Sequence, residues 1–556
     1  MKIALSSTNP VIGDFQGNLE QIKTRIVQAR EAGCQLLILP ELVLSGSPPL
    51  DLLRRPSFLE AHDRVFARLL ADTRDIAVLC GLISRDISAD GKAALYNSAI
   101  LFEETKVKFV IHRYFLEDCG GFRQSPHFTR GEICLPVPFR GLRLGISIGE
   151  ELLPRHNCSS RDIYSPHADI HHGGGADLFI NLAATPFIKG GVESRLDQLS
   201  GISGKYRTPL LYVNQLGGQD SLLFDGQCLA LNKEGRLSRS TPPFEGGMLV
   251  VDSERLDPAD EQEKENGSQD LHHILRGIVT GIRDYVHKSG FSRVVIGLSG
   301  GIDSALTCAL ACRALGPENV LGVALPSAIS SPGSIADARQ LAENFGIRFE
   351  IIPIKEAFQV MKAGLEPLFQ GYREDVTEAN LQARIRGTFL MALANKFNRL
   401  LLATGNKSEV AVGYCTLYGD TCGALAPLAD IPKTMVYQLA GLINRESGPE
   451  QKGAIPESSL AKAPSAELIP GQKDQDDLPD YGTMDAIIQY WLEERLSVAE
   501  IINKGYDPLL VKDLIRRLEK NEYKRHQLPP GLRITSRAFD LGTGRPITAG
   551  YWQKYD

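Results

Sequence analysis

Val294-Val295-Ile296-Gly297-Leu298-Ser299-Gly300-Gly301-Ile302-Asp303-Ser304-Ala305 carries an apolar strand into a glycine turn and straight on into a helix. That order of elements belongs to a parallel, doubly wound α/β sheet, whose ligands bind at the carboxyl ends of the strands. Gly300 and Gly301 let the backbone approach an anion. The N–H groups of the turn and of the new helix have no other acceptor, and Ser299 and Ser304 add hydroxyl donors. The stretch therefore reads as a phosphate cradle rather than a plain strand–helix turn. Asp303 would repel phosphate unless a cation stood between them, so its expected role is to hold Mg²⁺ against a triphosphate. No G-x-x-x-x-G-K-[ST] occurs in the chain, and the loop lacks the lysine that reaches a β/γ-phosphate in the Walker type.

The composition narrows the field. A chain of 556 residues is too long for one hydrophobic core and predicts two or three domains. With 43% hydrophobic and 23% charged residues it has ordinary globular composition, and a net charge of −6 gives no basic surface for nucleic acid. No apolar run approaches a membrane span, and the N-terminus has no signal-peptide core, so neither nucleic acid nor membrane is an expected partner. The ten cysteines contain no C-x-x-C pair, which argues against a zinc cluster and fits a reducing cytoplasm. Cys308 and Cys312 share a helix face and read as core.

In the first 250 residues, Leu36-Leu37-Ile38-Leu39, Ile76-Ala77-Val78-Leu79-Cys80, Leu142-Arg143-Leu144-Gly145-Ile146-Ser147-Ile148 and Leu178-Phe179-Ile180-Asn181-Leu182 read as buried strands. Residues 18–32 carry helical spacing between them. This predicts a layered α/β domain over 1–252. Residues 253–269 turn charged around Asp260-Glu261-Gln262-Glu263-Lys264-Glu265 and read as a solvated linker to a second domain over 270–556.

Several segments of the first domain resemble the nitrilase family of amide-cleaving enzymes, in its form as a glutaminase domain. They are Leu39-Pro40-Glu41-Leu42-Val43-Leu44-Ser45-Gly46, Leu95-Tyr96-Asn97-Ser98-Ala99, Asn181-Leu182-Ala183-Ala184-Thr185-Pro186-Phe187, Val213-Asn214-Gln215-Leu216-Gly217-Gly218-Gln219-Asp220 and Phe224-Asp225-Gly226. The resemblance implies a nitrilase-like α/β sandwich and a site made of a glutamate base, a lysine and a cysteine nucleophile. Glu41 falls on the glutamate position, but Arg113 falls on the lysine position and Gly149, in Ile148-Gly149-Glu150-Glu151, on the cysteine position. Glutamine-holding positions are also altered, falling on Cys119 and Gly191, with Lys189 nearby. The expectation is a degenerate glutaminase site, because losing the nucleophile of a comparable hydrolase costs on the order of a millionfold in turnover. Ser147, Cys119 and Cys158 are the alternative nucleophiles close in sequence. Glu41 either keeps a binding role or merely satisfies buried backbone and Arg113.

In the second domain, residues 272–288 carry an amphipathic helical pattern. Val320-Leu321-Gly322-Val323-Ala324-Leu325-Pro326 and Phe349-Glu350-Ile351-Ile352-Pro353 supply further strands around a helix near 334–344. Leu400-Leu401-Leu402-Ala403-Thr404-Gly405-Asn406-Lys407-Ser408-Glu409 again runs a strand into a polar turn, placing Glu409 where a second metal carboxylate could join Asp303. The Ser-Gly-Gly-x-Asp-Ser loop resembles that of enzymes splitting ATP into AMP and pyrophosphate.

The segments Thr377-Glu378-Ala379-Asn380-Leu381-Gln382-Ala383-Arg384-Ile385-Arg386-Gly387, Tyr418-Gly419-Asp420, Leu425-Ala426-Pro427-Leu428-Ala429-Asp430-Ile431-Pro432-Lys433-Thr434, Lys462-Ala463-Pro464-Ser465-Ala466-Glu467-Leu468 and Glu522-Tyr523-Lys524-Arg525 resemble the NAD synthetase family in its long form. The resemblance implies that Gly297, Leu298, Ser299, Gly300, Gly301, Ile302, Asp303, Ser304 and Thr404 bind ATP. It places Asn380, Glu409 and Lys524 at deamido-NAD, Asp303 and Glu409 at the metal, and Asp303, Lys433 and Asp420 in catalysis. The expected reaction adenylates the nicotinate carboxyl of deamido-NAD, with ATP as co-substrate and Mg²⁺ beside it. Ammonia, free because Gly149 replaces the nucleophile, then displaces AMP. Residues 445–480 read either as a closing lid or as an insertion without fixed structure. A homo-oligomer is implied by the resemblance alone. Glutamine use through a relocated nucleophile or a partner glutaminase, an inactive nucleotide sensor, and another synthetase of the same loop family are the alternatives.

Overall fold

Strands apolar on both faces must be covered on both faces, and this governs the N-terminal half. In the computed structural model, which describes residues 1–87, 93–116, 124–132, 135–152, 170, 173–258, 268–447, 453–465, 467–469, 471–539 and 544–550, the chain divides into units Met1–His273 and Ile274–Asp556. The first unit contains β1 (Lys2–Ser6), α1 (Phe15–Glu31), β2 (Leu36–Ile38), α2 (Pro56–Ala71), β3 (Ala77–Ile87), β4 (Ala93–Glu103), β5 (Lys106–His112), β6 (Val137–Phe139), β7 (Leu142–Ile148), β8 (Leu178–Ala183), α3 (Gly191–Tyr206), β9 (Leu210–Asn214), β10 (Leu216–Gln219), β11 (Leu222–Asp225), β12 (Cys228–Leu231), β13 (Leu237–Ser240) and β14 (Met248–Asp252).

Two six-stranded sheets result, ordered β14-β1-β2-β3-β4-β5 and β13-β12-β9-β8-β7-β6. Between them Ile3, Leu5, Leu36 and Ile38 meet Ile146, Ile148, Ile180 and Leu211 in one core. Helices α1 and α2 cover the outer face of the first sheet through Leu19, Ile22, Ile26 and Leu69, and α3 covers the second through Leu199. This is the expected nitrilase-like α/β sandwich, and the strands and helix read from the sequence fall on β2, β3, β7, β8 and α1.

The second unit is built on four parallel strands, β15 (Val294–Gly297), β16 (Val320–Ala324), β17 (Arg348–Ile351) and β18 (Leu400–Leu402), in the order β17-β16-β15-β18. The chain winds outward from β15 to β17 and then returns to the other side of β15, so the loop after β15 sits at the topological switch point, where a crevice opens. Its helices are α4 (Ser268–Lys288, which crosses the division between the units), α5 (Ile302–Leu315), α6 (Pro332–Phe345), α7 (Lys355–Phe369), α8 (Val376–Lys396), α9 (Lys407–Val412), α10 (Lys433–Glu446), α11 (Glu457–Ala461), α12 (Tyr481–Leu492), α13 (Val498–Asn503), α14 (Pro508–Lys520) and α15 (Glu522–Arg525). Ile385 and Ala394 of α8 pack on Val295 and Leu321 of the sheet. Helices α12, α13 and α14 form a separate core with Ala411 and Val412 at the end of α9. Cys308 and Cys312 are buried in α5, as their spacing suggested. Among the described residues no helix is long and apolar enough to cross a membrane.

Candidate active site

The turn after β15 has the geometry its sequence predicts. Gly300 has φ +80°, and a Cβ there would lie 2.3 Å from the Ser334 carbonyl oxygen, so only glycine fits. The Ser304 hydroxyl accepts from the Ser299 N–H at 3.2 Å and donates to the Gly301 carbonyl at 3.0 Å, which locks the turn against the start of α5. Gly297, Leu298, Ser299, Gly301, Ile302, Asp303 and Ser304 line a cavity of about 290 Å³. Thr404, Glu409, Asp420 and Lys433 line it as well, so residues from four separate stretches converge.

At its floor the Lys433 ammonium lies 2.5 Å from Asp303 Oδ2 and 3.2 Å from Glu409 Oε1. Lys433 is 2% exposed. Burial works against its charge, but the two carboxylates more than offset this and hold the ammonium above its ordinary range. Burial likewise pushes the Glu409 carboxyl up to about 7, with Lys433 opposing and Asp303 reinforcing the shift. Two carboxylates thus share one ammonium, leaving an excess negative charge on hard oxygen donors. That donor set fits Mg²⁺, which commonly takes one or two carboxylates and completes its shell with phosphate oxygens and water. Among the described residues no three His, Cys, Asp or Glu side chains gather into a complete metal cage.

Three further polar residues support this site from behind its lining and were not singled out from sequence. Asn406, fully buried, donates from Nδ2 to Asp303 Oδ1 at 2.9 Å, while its Oδ1 caps α9 by accepting from the Glu409 N–H at 3.1 Å. Ser408 accepts from the Lys433 N–H, and Asp485 of α12 accepts from Thr434. Asn three residues ahead of Glu409 is an N-cap signal legible in the sequence. Asp485 had none beyond sharing a helix face with Tyr481, whose ring centroid lies 5.2 Å from Lys433 Nζ.

Asn380 and Lys524 stand behind the cavity wall. Asn380 Oδ1 accepts from Thr416 Oγ1 at 2.7 Å, and Lys524 Nζ donates to the Gly413 and Cys415 carbonyls at 2.8 Å each. Both therefore hold the loop that ends in Asp420, whose Oδ1 accepts from the Thr416 N–H and whose carboxyl burial raises to about 6. The described part of 445–480 is folded onto the phosphate turn. Ser459 Oγ donates to the Gly300 carbonyl at 3.1 Å, and Lys462 and Glu467 bond Ser334.

Two family profiles match the chain: carbon-nitrogen hydrolase over residues 2–257 and NAD synthase over 274–528. A glutamine-dependent NAD(+) synthetase of Synechocystis sp. is 40% identical, with 99% of each chain covered, and one of Thermotoga maritima is 38% identical over 99% of this chain and 98% of its own. The solved structure of an Acinetobacter baumannii glutamine-dependent NAD+ synthetase in complex with ADP is 35% identical, covers 99% of both chains and superposes with a TM-score of 0.76. The chain belongs to the glutamine-dependent NAD(+) synthetase family. It is thus an NAD synthetase, a ligase that forms a carbon–nitrogen bond with ATP as co-substrate.

Within this synthetase the residues predicted for a degenerate glutaminase site do meet. Glu41, after β2, receives Arg113 at 2.8 Å and Asn97 at 2.6 Å on Oε1, and the Ala184 N–H at 3.1 Å on Oε2. Gly149 has φ +61°, and a Cβ built on it would lie 2.5 Å from the Arg113 guanidinium. Ser147 is fully buried and its hydroxyl accepts from Asn181 at 2.9 Å. Gly191 opens α3 next to Lys189, whereas Cys119 and Cys158 lie outside the described residues.

Proposed function

We propose that this NAD synthetase uses free ammonia as its nitrogen donor. The observation that carries this is the Arg113 guanidinium standing where a side chain on position 149 would project. Glu41 is already engaged by Arg113, Asn97 and the Ala184 N–H, and position 149 offers it no side chain to activate. The relatives' names favour a second reading, in which glutamine remains the donor through another nucleophile. Incubating deamido-NAD, ATP and Mg²⁺ with ammonium or with purified glutamine separates the two. Turnover on ammonium alone is expected; equal turnover on glutamine sinks the first reading.

The synthetase domain, proposed over 270–556 and joined to the 1–252 domain through 253–269, performs the reaction in two steps. The nicotinate carboxylate of deamido-NAD attacks the α-phosphorus of ATP, and the bond to the β-phosphate oxygen breaks to release pyrophosphate. Ammonia then attacks the acyl carbon, the carbon–oxygen bond breaks, AMP leaves and a proton is lost. Ser299, Ser304 and the N–H groups around Gly300 and Gly301 hold the phosphates, and Thr404 lines the same cavity. Lys433 offsets charge on the departing pyrophosphate. Asp303 and Glu409 would hold Mg²⁺, which when bound supplies further charge neutralisation. Asp420, Asn380 and Lys524 shape the deamido-NAD side, and Ser459, Lys462 and Glu467 against the turn keep water from the acyl adenylate.

We further propose a homo-oligomer working in the cytoplasm. Helix α7 has no fully buried residue, and Val360, Leu368, Tyr372 and Val376 expose an apolar face between it and α8 that a second copy would cover. Light scattering on the purified protein tests this, a monomer being the contrary outcome.

A further inference from the structure

We infer that Asp485 is a positioning residue for the adenylation step, acting through the first turn of α10 on Lys433. The inference rests on the assignment of Lys433 to that step. Lys433 is the first residue of α10, and the residue before it is Pro432, whose side chain makes no capping hydrogen bond. The leading N–H groups of a helix have no intrahelical acceptor, so something else must receive them. Here two side chains from other helices do so. Ser408 Oγ accepts from the Lys433 N–H at 2.8 Å, and Asp485 Oδ2 accepts from the Thr434 N–H at 2.9 Å and from Thr434 Oγ1 at 2.8 Å. Asp485 Oδ1 accepts from the Ser408 hydroxyl, which leaves the Ser408 lone pairs free to accept from the Lys433 N–H.

Asp485 therefore serves as a cap supplied in trans, with its carboxylate at the positive end of the α10 dipole. Both backbone bonds fall within one residue of the lysine whose ammonium must lie between Asp303 and Glu409. A long side chain delivers its charge accurately only if its Cα is fixed, and a misplacement of about 1 Å in catalytic geometry can cost on the order of 100-fold. Asp485 touches neither the cavity nor the Lys433 ammonium, so its effect is indirect. Tyr481, one turn earlier on the same helix, donates to Asp474 at 2.8 Å, so α12 joins the segment folded over the cavity to the lysine on its floor.

The test compares full-length wild-type enzyme with Asp485→Asn. It measures ATP–pyrophosphate exchange in the presence of deamido-NAD, steady-state NAD formation from ammonium, and thermal unfolding. Asparagine keeps the shape and one acceptor but turns an amide group toward Ser408. A positioning role predicts that exchange and kcat per folded molecule fall about tenfold or more. The KM values for ATP and deamido-NAD should stay within about threefold, because the cavity wall is untouched. A kcat per folded molecule within about twofold of wild type, whatever the melting temperature, overturns the inference. If Asp485→Asn does not accumulate as folded protein, Asp485→Glu takes its place: it keeps a carboxylate but moves it by one methylene off the Thr434 N–H and the Ser408 hydroxyl. The same split between kcat and KM is then expected, and unchanged kcat overturns the inference. Lys433→Ala is the control. Wild-type exchange in that variant would refute the role of Lys433 itself, a result distinct from failure of Asp485 alone.

Discussion

The Arg113 guanidinium and Gly149 are a packing pair: a Cβ at 149 would meet Arg113 nitrogens and Cζ at 2.5 to 2.8 Å. A side chain at 149 would therefore require the guanidinium to shift from its place against Glu41. Gly149→Cys alone should lose about 1–3 kcal/mol of stability through overpacking. Gly149→Cys with Arg113→Lys, which shortens the intruding group, should recover the packing part of that loss in denaturant unfolding, while the strain of a side chain at φ +61° remains. Equal stability of the single and double variants would show that the guanidinium moves aside freely.

Glu41 and Arg113 are each 2% exposed and bonded to one another. Glu41→Ala removes a buried carboxylate bonded to a buried guanidinium and should cost about 3–5 kcal/mol. Glu41→Gln keeps an acceptor and should cost less. In both, NAD formation from ammonium per folded molecule should be unchanged, since Glu41 has no role in that reaction. A matched loss of ammonium-dependent rate in the folded Gln variant would tie Glu41 to the synthetase chemistry.

Asp303→Ala should abolish AMP release with ammonium, and chelating Mg²⁺ should do the same. Asn406→Ala is more diagnostic: it removes the α9 cap, worth about 1 kcal/mol. It also frees Asp303 Oδ1, and a shift of that carboxylate should reduce kcat by roughly 10–100-fold. Steady-state assays with AMP as the product read both effects.

Lys407 and Asp430 are each 1% exposed, and Lys407 Nζ lies 3.0 Å from Asp430 and 2.6 Å from Thr535 Oγ1. Asp430 also receives the Ile534 and Thr535 N–H groups, so this pair fastens the C-terminal segment to the start of α9. Asp430→Ala should cost about 3–5 kcal/mol, because it removes the nearer of the two carboxylates that neutralise a buried ammonium. Replacing both partners by apolar residues should cost clearly less, as measured by urea unfolding.

His62 sits among Phe15, Phe58 and Phe66, and burial, helped by Arg85, lowers its pKa to about 4. The unfolded chain binds this proton near pH 6.5, whereas the folded chain refuses it until about pH 4. Stability is therefore complete above pH 6.5 and declines as pH falls through that window, by about 3 kcal/mol in all. His62→Phe should flatten this slope between pH 6.5 and 4. An unaltered slope in unfolding curves would place the titration elsewhere.

The alternation of apolar runs with helical spacing, and the Ser299 to Ser304 turn, were sufficient to read both α/β domains and the strand–turn–helix geometry after β15. Those signals are local: strand burial, glycine conformation and helix starts are written within a few consecutive residues. Glu41, Arg113 and Gly149 could also be named, yet whether Arg113 filled the space at 149 depended on β5 and β7 being brought together. Asn380 and Lys524 were named from the resemblance alone, and their bonds to the 413–420 loop were not legible. Asp485 and the Lys407–Asp430 pair carried no readable signal, because a lone acid on an amphipathic helix looks the same whether it faces water or caps another helix. The sequence by itself determined the two folds, the chemistry of the cradle and the missing side chain at 149. Only the tertiary structure decided which charges neutralise one another, since Lys433 meets Asp303 across 130 residues of chain and the low dielectric of their shared site makes that pairing count.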